Sequence, residues 1–132
     1  MDRDWWLHHL DEVNSVFIGE RFSNNNHSNS FRTTYLPTNC YANSGAGSIV
    51  ATALGGAKRI VLLGYDCQKT NGKAHWHGNH PRGLGNASKI ENWGAKFEEL
   101  AKDYKHIEII NASRETALTC FPKMDLDKCL LY

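Results

Sequence analysis

Apolar and polar positions fall into blocks whose periods separate helix from strand. From Asn43 to Asp66 the chain reads NSGAGSIVATALGGAKRIVLLGYD. A turn of small residues comes first, and Ile49, Val50, Ala53 and Leu54 then recur on one helical face. Gly55 and Gly56 tolerate the backbone that ends a helix. Arg59 to Gly64 (RIVLLG) is a continuous apolar run, the mark of a strand covered on both faces. Asn43 to Gly47 at the start of a helix would let backbone amides approach an anion. In open α/β sheets ligands sit beyond the carboxyl ends of the strands, which puts Gly64, Tyr65 and Asp66 where chemistry is expected.

The rest of the chain is read around that stretch. Trp6, Leu10 and Val13 predict a first helix over Asp2 to Val13, capped by Asp2 or Asp4. The Trp5-Trp6 pair suits either a ligand-stacking surface or packing against the sheet. Ser15 to Glu20 (SVFIGE) reads as a short apolar strand. Phe22 to Thr34 is asparagine-rich and aperiodic, predicting an exposed loop, and Tyr35 to Tyr41 an irregular lead-in. Cys67 to Ala87 is a long polar loop rich in Gly and His. A helix from Ser88 to Tyr104 follows, with Ser88 as cap, Glu91 in the capping box and Ile90, Trp93, Phe97, Leu100 and Ala101 on one face. Lys105 to Ile110 predicts a second buried strand ending at Asn111, and a short helix begins near Asp125.

The chain has 132 residues and a net charge of +1, consistent with one domain and with no basic footprint for nucleic acid. Mean hydropathy is −0.52, and no apolar run approaches the length of a membrane span. The N-terminal MDRDWWLHHL lacks the pattern of a secretory signal. Cys40, Cys67, Cys120 and Cys129 form no CxxC pair and read as free, partly buried thiols. The expectation is a soluble cytoplasmic protein. Sequon matches at Asn26, Asn86 and Asn111 are then accidental.

Strand, loop, helix, strand is the order of a parallel crossover, which brings both strand ends to one sheet edge. Asp66 follows the first strand; Asn111, Ser113, Arg114 and Glu115 end or follow the second. The loop between them carries His75-Trp76-His77-Gly78-Asn79-His80. Three imidazoles so close suit a transition metal. The spacing is similar to the HxHxDH signature of metallo-β-lactamase-type hydrolases, with Asn79 in place of the acid. A second reading makes one histidine a general base, general acid or phosphate contact. A third leaves the histidines to local hydrogen bonding, with Trp76 anchoring the loop.

Over Asn43 to Leu126 the chain resembles the C-terminal half of a Rossmann-like family. That family holds the bacterial sialyltransferases that use CMP-sialic acid, MptE-like (hydroxymethylpterin diphosphokinase-like) domains and short phage-encoded proteins. The motifs are Asn43-Ser44-Gly45 opening a helix, GAKRIVLLGYD at 56 to 66, the His-bearing loop, the long helix, and IEIINAS at 107 to 113. The resemblance implies an α/β, three-layer Rossmann-like fold, a small mostly parallel sheet flanked by helices, with the family's N-terminal half truncated. It also implies a nucleotide or nucleotide-sugar site, with Asn43, Ser44 and Gly45 against the nucleotide and Asp66, Asn111, Ser113 and Arg114 nearby. His80 matches the base that activates the acceptor hydroxyl, and His77 is the runner-up. A nucleotide sugar is then the expected substrate, and no metal or other cofactor is expected. The alternatives are a non-catalytic phage accessory or host-interaction protein that keeps the fold, and a metal-dependent hydrolase using His75, His77 and His80. An open sheet edge in so small a sheet predicts a homodimer or a partner that covers it.

Overall fold

The computed structural model describes residues 3–25, 28–73, 78–81, 84–86 and 90–131. Among them lie helices α1 (Arg3–Val16), α2 (Ser44–Leu54), α3 (Trp93–Asp103) and α4 (Leu126–Cys129). The strands are β1 (Phe22–Ser23), β2 (Thr34–Tyr35), β3 (Arg59–Leu62) and β4 (Glu108–Asn111). β1 pairs with β2 and β3 with β4, both in parallel, so the chain is an α/β protein with small parallel sheets.

The centre is the β3–α3–β4 unit with α2 beside it. β3 and β4 run in register, Ile60 opposite Ile109 and Leu62 opposite Asn111. Ile60, Leu62 and Ile109 join Ile49 and Val50 of α2, Phe97 and Leu100 of α3, and Phe121 in one core. Each large side chain sealed there contributes about 1.5–3 kcal/mol. Val61 and Ile110 face the other way and pack with Ala112, Met124 and Cys129 in a smaller cluster. The second face of the sheet is therefore covered, but thinly, as a strand of mixed burial shows. Leu63, at the end of the apolar run, is exposed.

The edges differ. Asn111 of β4 donates its N–H to the Pro122 carbonyl at 2.9 Å and accepts from the Met124 N–H at 3.1 Å, so residues 122–124 close that side. The Lys58 and Leu62 carbonyls accept from the N–H groups of Glu108 in β4 and of Ala112 just after it. Val61 and Leu63 therefore direct their backbone groups to the opposite side. Among the described residues no strand lies there.

α2 begins and ends as its residues dictate. The Asn43 side chain caps it, accepting from the N–H groups of Gly45 at 2.8 Å and Ala46 at 3.2 Å. Gly56, at φ +93°, takes the left-handed turn that stops it.

Four expectations are corrected. Ser15–Glu20 is not a strand: α1 runs on to Val16, Phe17 N–H bonds to Val13 C=O at 2.9 Å, and among the described residues no strand pairs with 17–20. Residues 22–34 are not a featureless loop, because they hold β1, a 3₁₀ turn at Ser28–Phe31 and the start of β2. Ser23, Phe31 and Thr33 are buried there. α3 starts at Trp93, after a 3₁₀ turn at Ile90–Asn92, and the expected cap Ser88 lies outside the described residues. Trp6 packs on Phe31, ring centroids 6.0 Å apart and nearly parallel, rather than against the β3–β4 sheet.

All four cysteines are free thiols, Cys129 buried and the other three half-buried. No helix among the described residues is long and apolar enough to cross a membrane.

Candidate functional site

β3 ends at Leu62, and Gly64 at φ +72° turns the chain so that Tyr65 and Asp66 pass over the carboxyl ends of both strands. The two residues are fixed by a polar clamp built from the segment after β4. Tyr65 N–H donates to Ser113 Oγ at 2.8 Å, and Tyr65 C=O accepts from Thr116 Oγ1 at 2.7 Å. Asp66 C=O accepts from Ala117 N–H at 2.8 Å. Asn111 Nδ2 donates to Thr116 Oγ1 at 3.0 Å, while Asn111 Oδ1 accepts from Ser113 N–H at 3.0 Å. Asn111 is 0% exposed and Ser113 4%, so both lie beneath the surface as braces. Their polar groups are matched inside the protein, which is what makes their burial tolerable.

Above the clamp a cavity of about 580 Å³ opens between α2, the β3 end and α3. Asn43, Ser44, Gly45, Asp66 and His80 line it, joined by Tyr65, Cys67, Asn86, Trp93 and Phe97. Tyr65 is the hinge of this wall: its hydroxyl donates to the Gly45 carbonyl at 3.0 Å and its ring packs edge-on against Phe97. Gly45 makes that approach possible, since a Cβ there would lie 3.0 Å from Tyr65 Cε1. The glycine thus has a packing reason. The amides of Gly45 and Ala46 already serve the Asn43 cap, and Gly47 N–H bonds the Asn43 carbonyl at 2.9 Å. The expected cradle of free amides at the head of α2 is correspondingly reduced.

His80 enters from the long loop, its backbone N–H donating to Asn86 Oδ1 at 2.7 Å. His75 and His77 lie outside the described residues, so the three-histidine reading has no geometry to rest on. Among the described residues no group of His, Cys, Asp or Glu is placed to hold a metal.

A second cavity, about 810 Å³, shares Gly64 and Asp66 with the first. Ser113, Arg114, Glu115, Lys123, Asp125 and Asp127 contribute to its lining, and Lys123 Nζ donates to the Arg114 carbonyl at 2.8 Å. The sequence-predicted residues therefore divide: Asn43, Ser44, Gly45 and His80 on one side, Ser113 and Arg114 on the other, Asp66 common to both.

Burial sets the electrostatics of the nearby thiols and phenols. It pushes the Cys67 thiol up to about 11, with Cys120 and Asp66 adding to the effect. It also raises Tyr65 and Cys120 above their ordinary values. Cys67 is a protonated, weakly nucleophilic thiol at neutral pH, which argues against covalent catalysis by it.

Sequence reasoning missed Thr116, Asn86 and the cavity role of Trp93. Thr116 carried a faint signal as a hydroxyl residue just past a strand end, the usual place for a side-chain-to-backbone turn. Trp93 and Phe97 share one face of α3, as their spacing predicts, but the first turns of that face line the cavity as well as the core.

The chain matches no family model, no curated protein and no solved structure. Its class is defined by the fold itself, an α/β chain with a cleft at the carboxyl ends of a parallel strand pair.

Proposed function

We propose that this cleft binds a nucleotide or nucleotide sugar, in a domain whose β3–α3–β4 unit belongs to a three-layer Rossmann-like arrangement. One observation carries the reading. Residues distant in sequence, Asn43–Gly45, Asp66 and His80, line a single cavity beside an aromatic wall. Tyr65 and Trp93 offer ring faces to a planar base, and the Asp66 carboxylate accepts from ribose hydroxyls. Ser44 and the positive end of the α2 dipole meet phosphate. Arg114 reaches the ligand through the second cavity, while Asn111 and Ser113 act by holding the Tyr65–Asp66 backbone.

If the protein transfers a glycosyl group, His80 is the base: its imidazole takes the acceptor hydroxyl proton as that oxygen attacks the sugar and the nucleotide leaves. A thermal-shift and calorimetric screen against CMP, UDP, GDP and their sugars tests binding, and indifference to all of them by the folded protein removes the proposal. Product formation that disappears in His80→Ala tests transfer.

A non-catalytic binding protein is the second reading. The capped head of α2 favours it, together with the lack of any Lys or Arg among the described residues lining the first cavity. Saturable nucleotide binding without turnover of any nucleotide sugar is its expected signature.

A further inference from the structure

We infer that the N-terminal surface formed by α1 and the loop after it pairs with a second copy of this chain. Residues 17–20 make an apolar knob. Ile18 at its tip is fully exposed, and the Phe17 ring lies so close over Gly19 that a Cβ there would meet Phe17 Cζ at 2.8 Å. The knob is held at its base. Phe17 N–H bonds to Val13 C=O at 2.9 Å, and Arg21 Nη1 donates to Asn14 Oδ1 at 2.6 Å. A segment pinned at both ends cannot readily swing to another part of its own chain.

Beside the knob lies a cleft of about 640 Å³ whose apolar lining includes Trp5, Trp6, Val13, Phe17 and Phe22. Val16, Phe17 and Glu20, which flank Ile18, line it too, so projection and recess belong to one face. A face that carries both is self-complementary, and a two-fold axis through it places each Ile18 in the other copy's cleft. The charged lining residues agree with that occupant. Charges of both signs line the cleft, Glu20 and Arg21 beside a Glu12 that meets His9 at 3.3 Å, so a reciprocal contact does not set one sign wholly against itself. Exposed Trp and Phe concentrated on one patch are also the residue types that anchor interfaces. The contact shares no lining residue with the strand-end cavities and stands whether or not they bind a nucleotide.

Light scattering after size exclusion, over a wide range of protein concentration, tests this. The wild type is expected at twice the chain's 14.9 kDa. Ile18→Asp raises the dimer dissociation constant by roughly tenfold or more. Its far-UV circular dichroism stays unchanged, because Ile18 is fully exposed in the monomer. Leu63→Asp, at the open β3 edge, leaves the dimer intact. A wild type that is monomeric throughout overturns the inference. So does an Ile18→Asp protein that dimerises as tightly as wild type, or pairing lost in Leu63→Asp instead.

Discussion

The Thr116 hydroxyl donates to the Tyr65 carbonyl oxygen at 2.7 Å, joining the segment after β4 to the residue beside Asp66. Thr116 Oγ1 itself accepts from Asn111 Nδ2 at 3.0 Å and from Leu118 N–H at 3.1 Å. One half-buried hydroxyl thus satisfies three partners from both strand ends, and the position of Asp66 depends on it.

Thr116→Val keeps the shape and removes the hydroxyl. Each buried group left unmatched costs about 1–3 kcal/mol, and partial access of water reduces the sum, so the expected loss is about 2–3 kcal/mol. Thr116→Ser keeps the hydrogen bonds and should lose about 1 kcal/mol through the missing methyl. Urea denaturation reads both. A Val variant as stable as the Ser variant would show that the clamp contributes little.

The centre of the fold was legible because several local signals agreed there. Asn43, the paired glycines and the RIVLLG run each point to the same helix–turn–strand order, and the structure has it. The N-terminal third was not legible, for a physical reason. A short apolar run such as SVFIGE has no period that separates a helix end from a strand, and here the helix hydrogen bonds extend into it as far as Phe17. β1 and β2 are two residues each, and they bury Ser23 beside an exposed Phe22, the reverse of what hydropathy suggests. At the site, the polar residues after each strand were visible as a group. Asn111 braces the backbone through Ser113 and Thr116, which in turn hold Tyr65, 48 and 51 residues away in the chain, and no local pattern encodes that pairing.

Gly45→Ala separates helix propensity from packing. Alanine favours an α-helix over glycine by about 1 kcal/mol, yet its Cβ would meet Tyr65 Cε1 at 3.0 Å and Asn43 Oδ1 at 3.1 Å. Overpacking is expected to win, with a net loss of about 1–2 kcal/mol. In a Tyr65→Ala background the main obstacle is gone, and the same substitution should cost at least about 1 kcal/mol less, a coupling that a double-mutant cycle measures. Equal effects in the two backgrounds would refute the packing role.

Alkaline pH should destabilise the fold in a defined window. Cys67 is held neutral by burial, its folded value near 11 against an ordinary 9.0. The unfolded chain then loses the proton first, so this stabilisation is whole below about pH 9 and disappears as pH rises through about 11. Tyr41 acts in the same sense: burial raises it, helped by the 2.6 Å hydrogen bond from its hydroxyl to Asp103 Oδ2. Denaturant midpoints measured across that range should fall more steeply for wild type than for Cys67→Ala. Rapid alkylation of Cys67 near neutral pH would contradict the assignment.

Asn86 positions His80, and the test of that role uses a variant that keeps the acceptor. Asn86 Oδ1 receives the His80 backbone N–H at 2.7 Å, and both residues line the first cavity. Asn86 is exposed, so Asn86→Ala should leave the urea midpoint within about 0.5 kcal/mol of wild type. The loop it holds should loosen, weakening binding of the nucleotide found by screening by about threefold to tenfold, the equivalent of a net hydrogen bond of about 1 kcal/mol. Asn86→Asp retains an oxygen acceptor at the same place and should recover most of that affinity. Because the carboxylate adds a negative charge beside the cavity, its recovery should be larger for an uncharged nucleoside than for the corresponding nucleotide. Calorimetry on the three proteins with both ligands decides the matter: equal weakening by Ala and Asp toward the nucleoside would mean that the hydrogen bond does not place His80.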